Sequence, residues 1–258
     1  MAFSSRLAII PGGIGSAVGK LFREKGAKLA LLYAPFEKDR VHQVLDEVYG
    51  LQSNQDIRTY PCDITHPESV EEAFSAVASD HVAFPSFLIN SAGYVNLSPL
   101  VETTPEDSLR HYMINLYGPT LTGQAFARMY LMSKDNQLDA PGARIVNIAS
   151  QAAHVALDRH GAYCASKAGL VGLTRCQASE WGACGITANS VSPGPVWTAL
   201  GKKAWADDKV REDYLRAVPT GEFAEPDEVA RIVLFLCQDS SKNINGMDLK
   251  IDGGYTAR

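Results

Sequence analysis

Seven short apolar runs recur along the chain, at Arg6 to Ile10, Ala27 to Tyr33, Ile57 to Cys62, Pro85 to Ile89, Ala143 to Ala149, Ile186 to Val191 and Met247 to Ile251. Most lack the alternation of a sheet with one wet face, so they predict strands buried on both sides. Between them lie stretches of helical pattern, about Ser16 to Lys25, Phe36 to Gly50, Pro67 to Ser79, a region around Ile114, one running to about Gly182, and Glu225 to Cys237 opened by Pro226. Strands that alternate with helices predict an α/β domain with a parallel sheet. The polar loop Ser133 to Gly142 reads as a surface turn.

Size and charge narrow this picture. The 258 residues suffice for one α/β domain over 1–258 without a second. Net charge is −5 with both signs interspersed and no basic run, which argues against nucleic acid as a partner. No apolar run reaches the ~20 residues of a membrane span, and the first ten residues lack a signal-peptide core. The five cysteines, Cys62, Cys164, Cys176, Cys184 and Cys237, are scattered and form neither a C-x-x-C pair nor a metal-ligand spacing. These features predict a soluble cytoplasmic protein with reduced thiols and no metal.

Candidate chemistry concentrates between Ser150 and Lys167. Tyr163 and Lys167 stand four residues apart in a predicted helix, so the ammonium and the phenol share a face. A free phenol titrates near 10, and an adjacent cation favours its ionised form, making Tyr163 a candidate acid or base. Ser150 follows the fifth apolar run, where a side chain opens into the cleft at a strand end and can hold a carbonyl oxygen.

Ser150, Tyr163 and Lys167 at this spacing resemble the catalytic signature of the short-chain dehydrogenase/reductase family. Other motifs follow in family order: Asp63-Ile64, Asn90-Ser91-Ala92-Gly93 in place of N-N-A-G, Asn115 within Ile114-Asn115-Leu116, and Pro193-Gly194-Pro195-Val196-Trp197-Thr198. The resemblance implies a doubly wound Rossmann sheet of about seven strands, an NAD(P) cofactor and hydride transfer between an alcohol and a carbonyl. It implies proton transfer by Tyr163, oxygen binding by Ser150, lowering of the phenol pKa and ribose binding by Lys167, and a water relay supported by Asn115. It also implies adenine contact at Asp63 and Ile64, packing beside the adenosine at Asn90, Ala92 and Gly93, and cofactor contacts at Pro193, Gly194, Val196 and Thr198, with the backbone near Val196 on the carboxamide and Thr198 on the carboxamide or a phosphate. Asp63 reads equally as a helix cap.

One stretch departs from the family. Pro11-Gly12-Gly13-Ile14-Gly15 is three residues shorter than T-G-x-x-x-G-x-G, and three residues span on the order of 10 Å of extended chain. Either a tightened turn of Gly12, Gly13, Ile14 and Gly15 still receives a pyrophosphate, or the chain has lost its cofactor and serves as a non-catalytic binding protein. Tyr33 stands where an acid would select NAD, which favours NADP(H); Glu37 and Asp39 keep NAD open, with Lys38 and Arg40 beside them.

The Ser150 and Tyr163 segments and the stretch from Thr198 to Trp205 look similar to members acting on sugars and polyols. Gln151, His154, His160, Trp197 and Trp205 are candidate substrate contacts beside Ser150 and Tyr163, and about 196–218 is expected to cover the substrate. A 3-oxoacyl or other ketone substrate is the alternative. The family commonly forms homotetramers, and Val229 to Cys237 with Ile244 to Ile251 fits either an interface or an internal core.

Overall fold

The computed structural model describes residues 2–12, 17–50, 56–137, 139–198, 202 and 205–257. Seven strands form one sheet: β1 (Arg6–Pro11), β2 (Lys28–Tyr33), β3 (Ile57–Pro61), β4 (Phe84–Asn90), β5 (Ala143–Ile148), β6 (Ile186–Pro193) and β7 (Asp248–Ile251). All neighbours are parallel, in the order β3-β2-β1-β4-β5-β6-β7. The chain builds outward from β1 in one direction and from β4 in the other. The crevice at their carboxyl ends is therefore a topological switch point, the common ligand position of such sheets.

Both faces are covered, which explains the unbroken apolar runs. Ala8, Ile10, Leu29, Leu31, Phe87, Ile89, Val146 and Val191 lie under α1 (Ala17–Glu24) and a late helix whose buried face includes Val229, Val233 and Leu236. The alternate residues Leu7, Ile9, Ala30, Leu32, Leu88, Ile145 and Ala188 meet α3 (Pro67–Asp80), α5 (Gly118–Asp135) and α6 (Gly161–Trp181). The remaining helices are α2 (Val41–Tyr49), α4 (Pro105–Tyr112), α7 (Asp208–Ala217) and the late helix, α8 (Pro226–Cys237).

Three boundaries differ from the sequence pattern. The helical stretch after β2 opens as a 3-10 segment, Pro35–Arg40, where the Glu37 carboxylate accepts the Ala34 amide. Helix α5 continues to Asp135, into the region read as a turn. Strand β6 runs on to Pro193, paired with Ile251; a proline is tolerated at that terminus because little ladder remains to be donated.

Gly12 closes β1 with φ +72°, and a Cβ there would stand 2.6 Å from the Ala92 Cα. The turn thus rests directly on the chain leaving β4. Gly12→Ala is expected to destabilise the fold by about 2–4 kcal/mol through left-handed strain plus overpacking. Urea unfolding measures it, and an unchanged midpoint would show that the turn relaxes freely.

Candidate active site

Ser150 lies two residues beyond β5 with extended backbone, and its Oγ accepts the Ala152 amide at 3.2 Å, capping the short turn Gln151–Ala153. That cap aims the hydroxyl at the first turns of α6, where it is hydrogen-bonded to the half-buried Tyr163 phenol. One turn on, Lys167 is only 4% exposed; its Nζ donates to the Ile148 carbonyl at 2.7 Å and stands 5.8 Å from the Tyr163 ring centre. The end of β5 and one face of α6 thus bring the three predicted groups together.

Their electrostatics differ from the expectation that Lys167 draws the phenol down. Burial pushes Tyr163 up, and the Ser150 hydrogen bond opposes it without winning. Burial also pulls Lys167 down, to about 8. In the protein alone, desolvation dominates at both groups, and the ammonium is turned toward the Ile148 carbonyl.

Asn115 sits in a π-helical segment, Met113–Tyr117, between α4 and α5, where the Gly118 amide reaches back to the Met113 carbonyl. Such bulges offset the regular ladder and recur at functional sites. The buried Asn115 side chain accepts the Tyr94 amide and donates to the Tyr94 carbonyl, both at 2.8 Å, and donates to Ser166 Oγ at 2.9 Å. It therefore ties the loop leaving β4 to α6, one residue from Lys167.

The other predicted positions divide. Gly13, Ile14 and Gly15 lie outside the described residues, while Gly12 rests on Ala92, one residue before Gly93. A Cβ on exposed Gly93 would stand 3.7 Å from Asn115 Oδ1 and 3.8 Å from Lys167 Nζ. Asn90 spends its amide inside the protein: it donates to Asn147 and accepts from Thr122, both at 2.8 Å, while Asn147 donates to Thr174 and Gln177 at 2.9 Å.

Asp63 closes a turn ahead of α3, accepting the Thr65 amide at 2.9 Å and the Thr65 hydroxyl at 2.7 Å, whereas the first residue before the helix is His66, without a side-chain cap. Burial raises its carboxyl, but the Thr65 hydroxyl and amide with neighbouring His66 outweigh that and hold it low. Ile64 packs against Gly118. Tyr33 is buried at the end of β2. Gly194 leaves β6 with its amide on the Ile251 carbonyl, after which Val196 bridges to Ala224 and the Thr198 amide donates to Val196.

Among the substrate candidates, Gln151 is 3% exposed and donates through Nε2 to the Tyr214 hydroxyl of α7 at 2.7 Å. Its Oε1, buried without a partner, would meet a Gly194 Cβ at 3.0 Å. His160 stands 6.1 Å from the Tyr163 ring, whereas Trp197 and Trp205 pack on Phe223. His154 turns away: its Nε2 pairs with Asp248 of β7 at 2.8 Å, and Asp248 also accepts from Ser190 and Ser192. A buried carboxylate already surrounded by hydroxyls makes the sheet edge a better place for this imidazole than the cleft.

Three residues escaped the sequence reading. His111, 1% exposed, pairs through Nδ1 with the Asp107 carbonyl and accepts the Asn96 amide at Nε2, which fixes the ring 6.3 Å from Tyr163. Tyr94 packs on it at 4.8 Å. Tyr214 stacks on Tyr255 at 5.1 Å and 13° while holding Gln151. No local pattern marks them, because each acquires its meaning through contacts distant in sequence.

The crevice fits a dinucleotide in three respects: its switch-point position, the side-chain-free approach at exposed Gly93, and the buried Lys167 ammonium beside it. The chain matches the family model described as enoyl-(acyl carrier protein) reductase over residues 9–256. It is 40% identical over 257 residues to a D-threitol dehydrogenase of Mycolicibacterium smegmatis, covering 98% of this chain and 94% of that protein. An NAD-dependent glycerol dehydrogenase of Listeria innocua is 39% identical over 261 residues, covering 99% and 95%. A solved short-chain dehydrogenase/reductase from Serratia marcescens superposes with a TM-score of 0.84 at 26% identity, covering 99% and 100%.

Proposed function

The chain belongs to the short-chain dehydrogenase/reductase family, and from that membership we propose that it interconverts an alcohol and a carbonyl on a sugar or polyol with a nicotinamide cofactor. The observation that carries the reading is the convergence of Ser150, Tyr163 and a nearly inaccessible Lys167 at the end of β5. A buried ammonium is expensive to keep, and here it stands 5.8 Å from the ring of Tyr163, the phenol that meets the Ser150 hydroxyl.

When bound, the cofactor supplies or takes up the hydride. Tyr163 gives its proton to the substrate oxygen, or receives it, while the Ser150 hydroxyl holds that oxygen. Lys167 holds the ribose, and Asn115 fixes the Tyr94 backbone and α6 around it. The displaced carbonyls of Met113–Tyr117 offer a site for a relay water. Gly12, Ala92 and Gly93 would lie along the adenosine, with Asp63 and Ile64 beyond, and Pro193, Gly194, Val196 and Thr198 would hold the nicotinamide end. Tyr33 brings no carboxylate and Glu37 is engaged by Ala34, which favours NADP(H), although the Listeria relative is NAD-dependent by its name.

Two dehydrogenases of small polyols among the relatives support this substrate class, and so does Gln151. Its unmet Oε1 lies one residue from Ser150 and calls for a donor such as a substrate hydroxyl. Helix α7, charged and without a buried residue, lies within the expected cover at about 196–218 and is poorly suited to an acyl chain. Gln151→Leu is expected to raise KM for the preferred polyol about tenfold, the loss of roughly one hydrogen bond, with cofactor affinity unchanged. An unchanged KM would place the substrate hydroxyls elsewhere.

The same reading makes the protein one cytoplasmic domain that assembles as a homotetramer. Among the described residues no helix is long and apolar enough to cross a membrane. Val229, Val233, Leu236 and Cys237 are internal core, while Phe235 and Met247 remain 44% and 52% exposed as candidate interface. Light scattering measures the assembly.

Parallel titration with NADPH and NADH, followed by turnover of threitol, glycerol and xylulose, tests the whole proposal. Binding of one cofactor with polyol-dependent turnover is expected. A folded protein that binds neither would leave the shortened Gly12 to Gly15 turn without its cofactor and overturn the enzymatic reading.

A further inference from the structure

At the opposite ends of the strands, away from the crevice, positive charge collects with too little to balance it. Arg144 of β5 pairs in register with Thr187 of β6 and with Phe87 of β4, and Arg6 of β1 lies over Phe87 at 4.5 Å. Arg6 and Arg144 are only 6% and 4% exposed. Both turn to Asp239, just beyond α8: Arg6 Nη1 at 2.9 Å and Arg144 Nη2 at 3.8 Å from the same oxygen. The Asp239 side chain is 71% exposed, so much of its charge is screened by water.

The remaining groups do not restore the balance. Lys242 adds a third cation. Cys237 lies against both arginines, but burial pushes its thiol far up and it stays neutral. The carboxyl end of α8 contributes about half a negative charge. Burial first, and repulsion from Arg6 second, press on the Arg144 charge.

Arg144, Thr187, Asp239 and Lys242, with the backbones of Gly142 and Gly185, line a cavity of about 370 Å³. Two of these linings present buried donors with no protein partner, Arg144 Nε and Thr187 Oγ1; Arg6 Nε behind them is unpartnered as well. These donors are closed to water as they stand, and a small movement of either side chain would open them to an oxyanion, which satisfies them and offsets the charge; guanidinium groups bind tetrahedral oxyanions with directed, charge-assisted bonds.

We propose that this cavity is an anion site for a phosphate group, free or carried by a small metabolite, held by Arg144, Thr187 and Lys242 in competition with Asp239. The site is separate from the crevice, and it stands whether or not the proposed enzymatic activity does.

Thermal unfolding of the full chain in rising inorganic phosphate, against sodium chloride of matched ionic strength, tests it. The melting temperature is expected to climb with the logarithm of phosphate concentration, because a ligand of the native state stabilises by mass action. Thr187→Val and Lys242→Gln should each require at least threefold more phosphate for the same shift. Asp239→Asn removes the competing carboxylate and should require at least threefold less. Arg144→Met should abolish the response; should it fail to fold, the opposite signs at Thr187 and Asp239 still decide. Glycerol 3-phosphate acting at lower concentration than phosphate identifies a carried group, and equal potency identifies the free ion. An equal response to chloride, or phosphate shifts identical in Thr187→Val, Asp239→Asn and the parent, overturns the site; the latter is the result for phosphate bound at the glycine turn.

Discussion

Tyr163→Phe is expected to lower kcat/KM by about 10²–10⁴-fold, the range of a positioned acid or base, while cofactor affinity stays within about twofold. The substitution removes one oxygen and keeps the ring, which packs edge-on to His111 and His160. The fold therefore loses at most the Ser150 hydrogen bond, about 1 kcal/mol. Because burial raises the phenol, it remains protonated through neutral pH and stands ready to protonate a carbonyl. Steady-state kinetics with fluorescence titration of the cofactor make the measurement. Turnover within tenfold of the parent would assign the proton to another group.

Lys167→Met should make the protein more stable at pH 7 and at least about 100-fold slower. The ammonium is held near 8, against an ordinary 10.5, by burial. The unfolded chain therefore keeps this proton more tightly than the native state. The resulting penalty on folding is fully present below about pH 8 and is relieved as pH rises from 8 to 10.5. It corresponds to about 3 kcal/mol. The bare Ile148 carbonyl left by methionine returns about 1–2 kcal/mol of that, for a net gain of roughly 1–2 kcal/mol at pH 7. Urea unfolding at pH 7 and pH 10.5 should show the gain at the first and its loss, with reversal to a deficit, at the second. A variant less stable than the parent at pH 7 would mean that Lys167 holds the fold together rather than burdening it.

The fold was readable because both faces of the sheet are dry: paired alternation merges into continuous apolar runs, and β1, β2 and β5 declare themselves. Tyr163 and Lys167 were readable because helical spacing alone makes them neighbours. Ser150 required the strand end as well, which the apolar run Ala143 to Ala149 supplied, and its pairing with Tyr163 rested on the resemblance. Titration was not readable, since the direction at Tyr163 depends on how much water the finished structure removes. Nor was His154, whose partner Asp248 is 94 residues away. Gln151 meets Tyr214 across 63 residues, and the unmet acceptor this leaves has no trace in either segment. The π-helical turn at Asn115 is likewise a product of packing, because Met113 to Tyr117 carries no composition that forbids an ordinary helix.

The amide network of Asn90, Asn147, Thr122, Thr174 and Gln177 has a bearing on how the molecule is made. It crosses β4, β5, α5 and α6, the four elements that aim the loops around Ser150, Lys167 and Gly93. Apolar strands of near-uniform composition slide past one another at little penalty, whereas each stranded amide in a dry interior costs about 1–3 kcal/mol. A slip of β4 against β5 by one residue would break several of these bonds at once. The network thus ties the register of β4 against β5 to the placement of α5 and α6, so a misaligned centre carries a penalty that an all-apolar seam would lack.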